Sequence, residues 1–149
     1  MANEWVLGDR MFQTNQGPSF PAHQYIIGGS STNFNHSALR ASENPTSPLH
    51  APTGGCDSPT GSLVALIDPA GLEQQKVYPC FERLSLTDLL DAKHIEWRFF
   101  EHAYGPGLWN ALDAIRHIRS SPMYKTEVQA PSTSYSTRYS TAISNRLPG

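Results

Sequence analysis

The sequence lacks the charge imbalance and the long apolar runs that would assign it at once to a functional class. Its 11 Lys and Arg residues stand against 13 Asp and Glu residues, which gives a formal net charge of -2. A nucleic-acid-binding domain normally carries a clear excess of basic residues. No apolar stretch approaches the roughly 18 residues that a membrane span requires, and residues 1–10 do not have the pattern of a signal peptide. We therefore expect no nucleic-acid partner and no transmembrane segment.

Cysteine is scarce as well, with two residues in the chain, Cys56 and Cys80. They do not form a CxxC motif, so a cysteine-rich zinc site and a thioredoxin-like redox pair are both excluded. From the residues alone, the two cysteines are either free thiols or one disulfide. The 6 histidines show none of the HxH or HExxH spacings typical of metal sites.

Residues that interrupt regular structure are, by contrast, abundant. The chain has 12 Pro and 11 Gly in 149 residues, which predicts long loops around one modest core. Residues 30–62 are rich in Ser, Thr, Asn, Pro and Gly and show little hydrophobic periodicity. We interpret them as a long loop or insertion within a single domain.

A Gly-Pro-Ser turn over residues 17–19 is the first motif that suggests chemistry. A strand at Trp5–Leu7 is predicted before it, and a helix after it, with Ser19 as N-cap and Pro21 in the first turn. Gly28–Gly29 is expected to end this helix. The amides and the positive dipole at a helix N-terminus favour an anion such as phosphate, so Ser19 is a candidate nucleophile for phosphoryl transfer. The simpler interpretation is a capping serine.

His23 lies four residues after Ser19, on the same face of the predicted helix. An imidazole in that position is a candidate for a hydrogen bond to an oxygen of the substrate. The alternative is a partly buried histidine with a structural role. The residues alone do not decide between the two.

Local patterns predict several further elements. They are strands over 63–68 and 77–80 around a turn at 69–71, a helix opened by a capping box at Ser85, a strand over 95–100, an amphipathic helix over 107–119 and a last helix after Ser132. A helix followed by a strand is typical of an α/β layer arrangement.

Three blocks of the sequence resemble one family. The first is DRMFQTNQGPSFPAHQY over residues 9–25, in which Gly-Pro-Ser followed by Pro is specific. The second combines VYPCFE (77–82), LTDLLD (86–91) and WR (97–98), and the third contains WNA and DAIRHIR within residues 109–119. Together they resemble the bacterial and fungal phosphoesterase family that includes acid phosphatases and phospholipases C of the non-haemolytic type.

This resemblance implies a fold and a reaction. The fold is α/β, with a partial alkaline-phosphatase-like three-layer core and long loops. The reaction is a metal-assisted hydrolysis in which a Ser or Thr attacks phosphorus and is transiently phosphorylated. Ser19 falls on that nucleophile, and His23 becomes a candidate contact to the substrate or the leaving group. The substrate would be a phosphomonoester or a phospholipid, and the cofactor a divalent metal ion.

The family is typically secreted or periplasmic, so the resemblance also implies that Cys56 and Cys80 pair as a disulfide. The family's metal-binding motifs, an early Glu-Asn pair and a late Asp-rich segment, are not recognised here, because Glu4 precedes Trp5 without the Asn and no Asp follows Asp113. We therefore expect the metal ligands to lie outside this chain.

Residues 1–149 are accordingly interpreted as a single incomplete piece of a catalytic domain. Two hypotheses follow from this interpretation. In the first, the protein is a phosphoric ester hydrolase in which Ser19 attacks phosphorus with the help of a metal ion. In the second, it is a catalytically inactive fragment with a structural or binding role only.

Overall fold

The computed structural model describes residues 17–101 and 105–129, and this part of the chain is a mixed α/β fold with much loop, as expected. The elements in chain order are α1 (Ser19–Gly28), β1 (Arg40–Ala41), β2 (Val64–Ile67), β3 (Gln75–Val77), α2 (Leu86–Ala92), β4 (Phe99–Phe100), α3 (Arg116–Ser120), α4 (Tyr124–Glu127) and β5 (Val128–Gln129). None of these helices has the length and apolar character needed to cross a membrane. The strand predicted at Trp5–Leu7 and the helix predicted after Ser132 lie outside the described residues.

The larger sheet is antiparallel, with the strand order β1-β2-β3. β2 lies within the predicted range 63–68, whereas β3 ends at Val77, the first residue of the strand predicted over 77–80. Val64 pairs with Val77 across β2 and β3. The carboxylate of Asp68 closes the intervening turn by accepting hydrogen bonds of 2.9 Å from the amides of Ala70 and Leu72. A side chain that satisfies two loop amides in this way specifies the turn locally.

Two hydrophobic clusters form the core, and α1 contributes to both. Phe20 belongs to the cluster against β1 and β2, where its ring meets that of Phe81 edge to face at a centroid distance of 5.9 Å. Ile27 belongs to the second cluster, whose other buried members are Ala111, Leu112, Ile115, Ile118, Tyr124 and Val128. Segment 111–118 also reaches the first cluster, through Ala114. α1 and this segment therefore join the two parts of the core.

The segment before α3 is not the helix that its apolar spacing predicts. Instead of one helix over 107–119, residues 107–115 form successive turns, and the helix begins only at Arg116. Of the apolar residues that suggested a helical stripe, Leu112, Ile115 and Ile118 are buried in the core, whereas Trp109 is 60% exposed. The prediction of burial is correct for the first three and wrong for Trp109, and the prediction of helix is wrong.

The physical reason lies in two backbone carbonyls of this segment. The carbonyl of Asp113 accepts the amide of Cys56 at 2.9 Å, and the carbonyl of Ala114 accepts the amide of Phe81 at 2.7 Å. In an α-helix both carbonyls would instead accept amides four residues further along the chain. Distant partners thus replace the helical hydrogen bonds.

α2 begins where the capping box predicts. The carboxylate of Asp88 accepts the backbone amide of Ser85 at 2.7 Å and its hydroxyl at 2.9 Å.

The strand predicted over 95–100 is reduced to β4, which pairs in parallel with β5. The prediction fails for the earlier residues because the amide of Ile95 bonds the carbonyl of Leu90 at the end of α2 rather than a neighbouring strand.

Residues 30–62 are mostly loop, but this loop packs into the fold. It contains β1, and the side chains of Ser31 and Ser58 are buried. A disulfide joins Cys56 of the loop to Cys80 after β3, as the family resemblance implies. This covalent bond across 24 positions of the sequence fixes the loop to the sheet.

Arg83 is a buried cation that has no carboxylate partner within the described ranges. Its guanidinium donates to the backbone carbonyl of Gln24 at 3.3 Å and to the side-chain oxygen of Gln24 at 2.8 Å. Gln24 lies in the C-terminal half of α1, where the helix dipole favours a positive charge. Burial lowers the pKa of Arg83 to about 10, so the side chain stays charged at neutral pH.

Replacing Gly28 by alanine is expected to destabilise this packing. A Cβ at Gly28 would lie 1.8 Å from Nη1 and 2.9 Å from Cζ of Arg83, whose hydrogen bonds to Gln24 prevent an easy displacement. Overpacking of this kind costs about 1–3 kcal/mol, more than the gain of about 0.5–1 kcal/mol from alanine in a helix. Denaturant unfolding of Gly28→Ala measures the effect.

Gly107→Ala is the matched control, since nothing lies within 4 Å of a Cβ at that position. Its free energy of unfolding should stay close to that of the wild type. An equal stability of Gly28→Ala and Gly107→Ala would show that Arg83 does not constrain the end of α1.

Candidate functional site

Ser19 is the first residue of the ten-residue helix α1, and Pro18 takes the N-cap position predicted for Ser19. The side chain of Ser19 is half-buried, and within residues 17–101 and 105–129 no hydrogen bond to its hydroxyl is formed. Gly29, with a φ of 63°, ends the helix as predicted. The nucleophile suggested by the sequence therefore lies at a helix N-terminus with an unengaged hydroxyl in the described part of the chain.

The amino end of α1 offers fewer amides to an anion than a typical helix. Pro18 and Pro21 have no N–H to donate. The amide of Phe20 donates to the side-chain oxygen of Asn44 at 2.9 Å, and that of Ala22 bonds the carbonyl of Pro18 at 3.3 Å. An anion at this helix end would thus meet the amide and the hydroxyl of Ser19.

Asn44 is a residue of this helix end that sequence reasoning missed. It comes from the long loop, 24 positions away from Phe20, and supplies the capping oxygen that Pro18 cannot provide. The donor from Phe20 identifies the bound atom of the carboxamide as oxygen, so the NH₂ group of Asn44 remains as a further donor. No local signal in the sequence connects residue 44 with α1.

The ring of His23 lies against the backbone of Ser19. Its Nδ1 is 2.7 Å from the carbonyl oxygen of Ser19, and because a carbonyl only accepts, this nitrogen carries a proton. The contact leaves Nε2 as the ring atom that is available to another group. The structure brings His23 to the first turn of α1, on the same face as Ser19, but the contact runs to the backbone and not to the hydroxyl.

A second polar cluster lies beside the disulfide. Asp113 is fully buried, and one of its oxygens accepts the amide of Asp57 at 3.2 Å. Arg119 places Nε 2.8 Å from the carboxylate of Asp57 and 3.3 Å from the other oxygen of Asp113. That second oxygen of Asp113 forms no hydrogen bond within the described residues. The guanidinium of Arg119 also lies 5.0 Å from the ring centroid of Tyr124.

The environment of Asp113 favours its neutral form. Burial raises the pKa of this carboxyl to about 7, while the amide of Asp57 and the charge of Arg119 act in the opposite direction. The approach of the loop is close: a Cβ at Gly55 would lie 2.1 Å from Oδ2 of Asp113. Only glycine fits there, and this adjacent Gly54–Gly55 pair is the one sequence signal that could have indicated a tight contact.

A model of the Phosphoesterase family matches residues 1–148. The chain belongs to the Phosphoesterase family. No curated protein and no solved structure matches it. Membership assigns the chain to hydrolases of phosphoric esters as a broad class, with a phosphoester as substrate.

Phosphoesterases of this family are generally metal-dependent. The described residues do not fit a metal ion, since no three or more of their His, Cys, Asp and Glu side chains are grouped to hold one. Near Ser19 the polar side chains that the structure brings together are those of His23 and Asn44, and Asp57 and Asp113 already share Arg119.

Asp113→Asn is expected to remove part of the pH dependence of stability. The folded pKa of Asp113 lies above that of the unfolded chain, which is about 3.9. Its contribution to stability is thus fully present below pH of about 4 and is lost as the pH rises toward the folded value near 7. Denaturant unfolding at pH 5 and pH 8 should show a smaller loss for Asp113→Asn than for the wild type.

Glu73→Gln serves as the control, because Glu73 is exposed in the turn before β3. This variant should follow the wild type at both pH values. Parallel pH profiles for the wild type and Asp113→Asn would contradict the assignment of a raised pKa to this carboxyl.

Proposed function

We propose that the protein is a phosphoric ester hydrolase in which the hydroxyl of Ser19 attacks phosphorus. The proposal is supported above all by the family match over residues 1–148, together with the position of Ser19 at the start of α1. The hydroxyl of Ser19, which forms no hydrogen bond to the described residues, and the amide of Ser19 are the groups that an incoming phosphoryl oxygen would meet. The positive end of the helix dipole adds about 0.3–1 kcal/mol for an anion at such a position.

The reaction has two displacements. In the first, Oγ of Ser19 bonds to phosphorus, the bond from phosphorus to the ester oxygen breaks, and the serine loses its proton as the alcohol leaves with one. In the second, water attacks the phosphorus of the serine adduct and the hydroxyl of Ser19 is restored. The product is inorganic phosphate from a phosphomonoester, or the phosphorylated head group from a phospholipid. No net oxidation or reduction occurs in either step.

We assign His23 the role of a hydrogen-bonding contact to the leaving group or to another oxygen of the substrate. Its Nδ1 donates to the backbone of Ser19, so Nε2 is the ring atom that can face the substrate. In the imidazolium form, Nε2 can donate a proton to the departing ester oxygen. The same orientation fixes the ring relative to the nucleophile, which lowers the entropic cost of that transfer.

Among phosphoric esters, the substrate is a phosphomonoester or the head-group ester of a phospholipid. A divalent metal ion is the cofactor that the family implies. The disulfide between Cys56 and Cys80 favours a secreted or periplasmic location, because disulfides persist in oxidising compartments. The second candidate is a catalytically inactive protein with a structural or binding role. It is favoured by the lack of a metal-holding group among the described residues.

Hydrolysis of a chromogenic phosphomonoester and of a phospholipid, each with added divalent metal salts, tests the proposal. We expect slow, Ser19-dependent turnover of one of the two, because the dipole alone is worth less than about one order of magnitude in rate. Ser19→Ala should reduce this turnover to background, and His23→Ala should reduce it more weakly.

Ser47→Ala is the matched control, a serine in a turn of the long loop whose hydroxyl accepts the amide of Leu49. It should retain wild-type turnover. Turnover that survives Ser19→Ala would overturn the assignment of the nucleophile, and no turnover of either ester would favour the inactive protein.

A further inference from the structure

α2 buries little apolar surface against the rest of the described protein. Thr87 is the buried residue of this helix, whereas Leu86 and Leu89 are 51% and 62% exposed. Both leucines face an apolar cleft of 560 Å³ that α2 forms with the C-terminal end of α1. Because little buried apolar area holds α2 in place, the polar contacts at its amino end contribute a larger share of its attachment to the fold.

The ring of His117 on α3 lies between two carboxylates from different parts of the chain. Nδ1 is 2.5 Å from Oε1 of Glu82, and Nε2 is 2.8 Å from Oδ1 of Asp88. Ionised carboxylates accept hydrogen bonds but do not donate them, so both ring nitrogens must carry protons. The geometry therefore corresponds to an imidazolium bound by two anions.

We propose that His117 is a protonation-controlled clasp that fastens the amino end of α2 to α3 and to the segment around Glu82. When the imidazolium loses a proton, one ring nitrogen becomes an acceptor and one of the two carboxylates loses its donor. Whichever carboxylate that is, the link that runs from Asp88, which also caps α2, through the ring to Glu82 is broken. The wall of the apolar cleft that α2 forms is held less tightly as a result.

The charges that face His117 favour the charged form of the ring. Partial burial lowers the pKa of His117, but the hydrogen bonds and charges of Glu82 and Asp88 outweigh this effect and raise the pKa above its usual value. The other charged groups on the elements around it are Asp91 on α2, which accepts the indole N–H of Trp97, Arg116 on α3, and Lys125 and Glu127 on α4, which packs against α3. The cations Arg83 and Arg119 bond Gln24 and Asp57 respectively.

The clasp has an acidic and an alkaline limit. Burial raises the pKa of Asp88, but the hydrogen bonds from Ser85 and His117 outweigh it and lower the pKa, so the Asp88 contribution is lost only as the pH falls through that lowered value. The His117 contribution is fully present below the unfolded pKa of about 6.5 and is lost as the pH rises through the raised folded value. The clasp is complete between these two limits.

A histidine NMR titration of the whole chain tests the charged state directly. The Cε1 proton of His117 should titrate with a midpoint above about 6.5, the usual value for a histidine side chain. In Glu82→Gln the midpoint of His117 should move downward, because one anionic acceptor is removed. A midpoint for His117 at or below about 6.5, or one that Glu82→Gln leaves unchanged, would overturn the proposal.

Unfolding equilibria at several pH values test the coupling to stability. The ratio of the folding equilibrium constants of wild type and His117→Gln should be largest near pH 6 and should fall as the pH rises from the unfolded toward the folded pKa of His117, by no more than about tenfold per pH unit. A wild-type to His117→Gln ratio that is constant with pH, or that grows toward alkaline pH, would contradict a clasp that depends on the proton.

Discussion

The disulfide between Cys56 and Cys80 places two backbone amides on adjacent carbonyls of a buried segment. The amide of Cys56 bonds the carbonyl of Asp113, and the amide of Phe81, next to Cys80, bonds the carbonyl of Ala114. A bridge across 24 positions lowers the conformational entropy of the unfolded chain, which stabilises the folded state by about 3 kcal/mol. The covalent bond and the two hydrogen bonds thus hold Asp113 and Ala114 against both segments that the disulfide joins.

The position of Ser19 depends on this constraint through α1. The side-chain amide of Gln24 donates to the carbonyl of Ala111 at 3.4 Å, and Phe20 packs in one cluster with Phe81 and Ala114. The helix that carries the proposed nucleophile therefore packs against the segment that the disulfide holds. The same segment leads into α3, whose His117 and Arg119 face different sets of carboxylates. One buried stretch of chain connects the site, the acidic cluster and the clasp.

Local chemistry was sufficient to predict the elements whose signals are contained within a few residues. The capping box of Ser85, the turn at Asp68 and the glycine end of α1 all belong to this group, because each is closed by neighbours in sequence. The helix expected over 107–119 failed for the opposite reason. Its carbonyls at Asp113 and Ala114 bond amides from distant loops, and periodicity carries no information about such partners.

The residues of the candidate site also fall into those with a local sequence signal and those without one. Ser19 and His23 are proposed from a turn motif and a four-residue spacing that are visible in the sequence, and the disulfide was predicted because a family resemblance implied it. The capping role of Asn44, the buried Asp113 and the carboxylates around His117 were missed, since each depends on contacts between residues 24 or more positions apart. Local motifs therefore indicate only some of these residues, and the others are brought in by contacts between segments that are distant in sequence.

The proposed hydrolysis requires that Ser19 receives the phosphoryl group. Incubating the protein with a phosphomonoester and divalent metal salts, quenching in acid and mapping the peptides by mass spectrometry measures this directly, even when turnover is slow. We expect one phosphoryl group on the peptide that contains Ser19, and none on that peptide in Ser19→Ala. A phosphoryl group on another residue, or ester hydrolysis with no phosphorylated peptide, would contradict it.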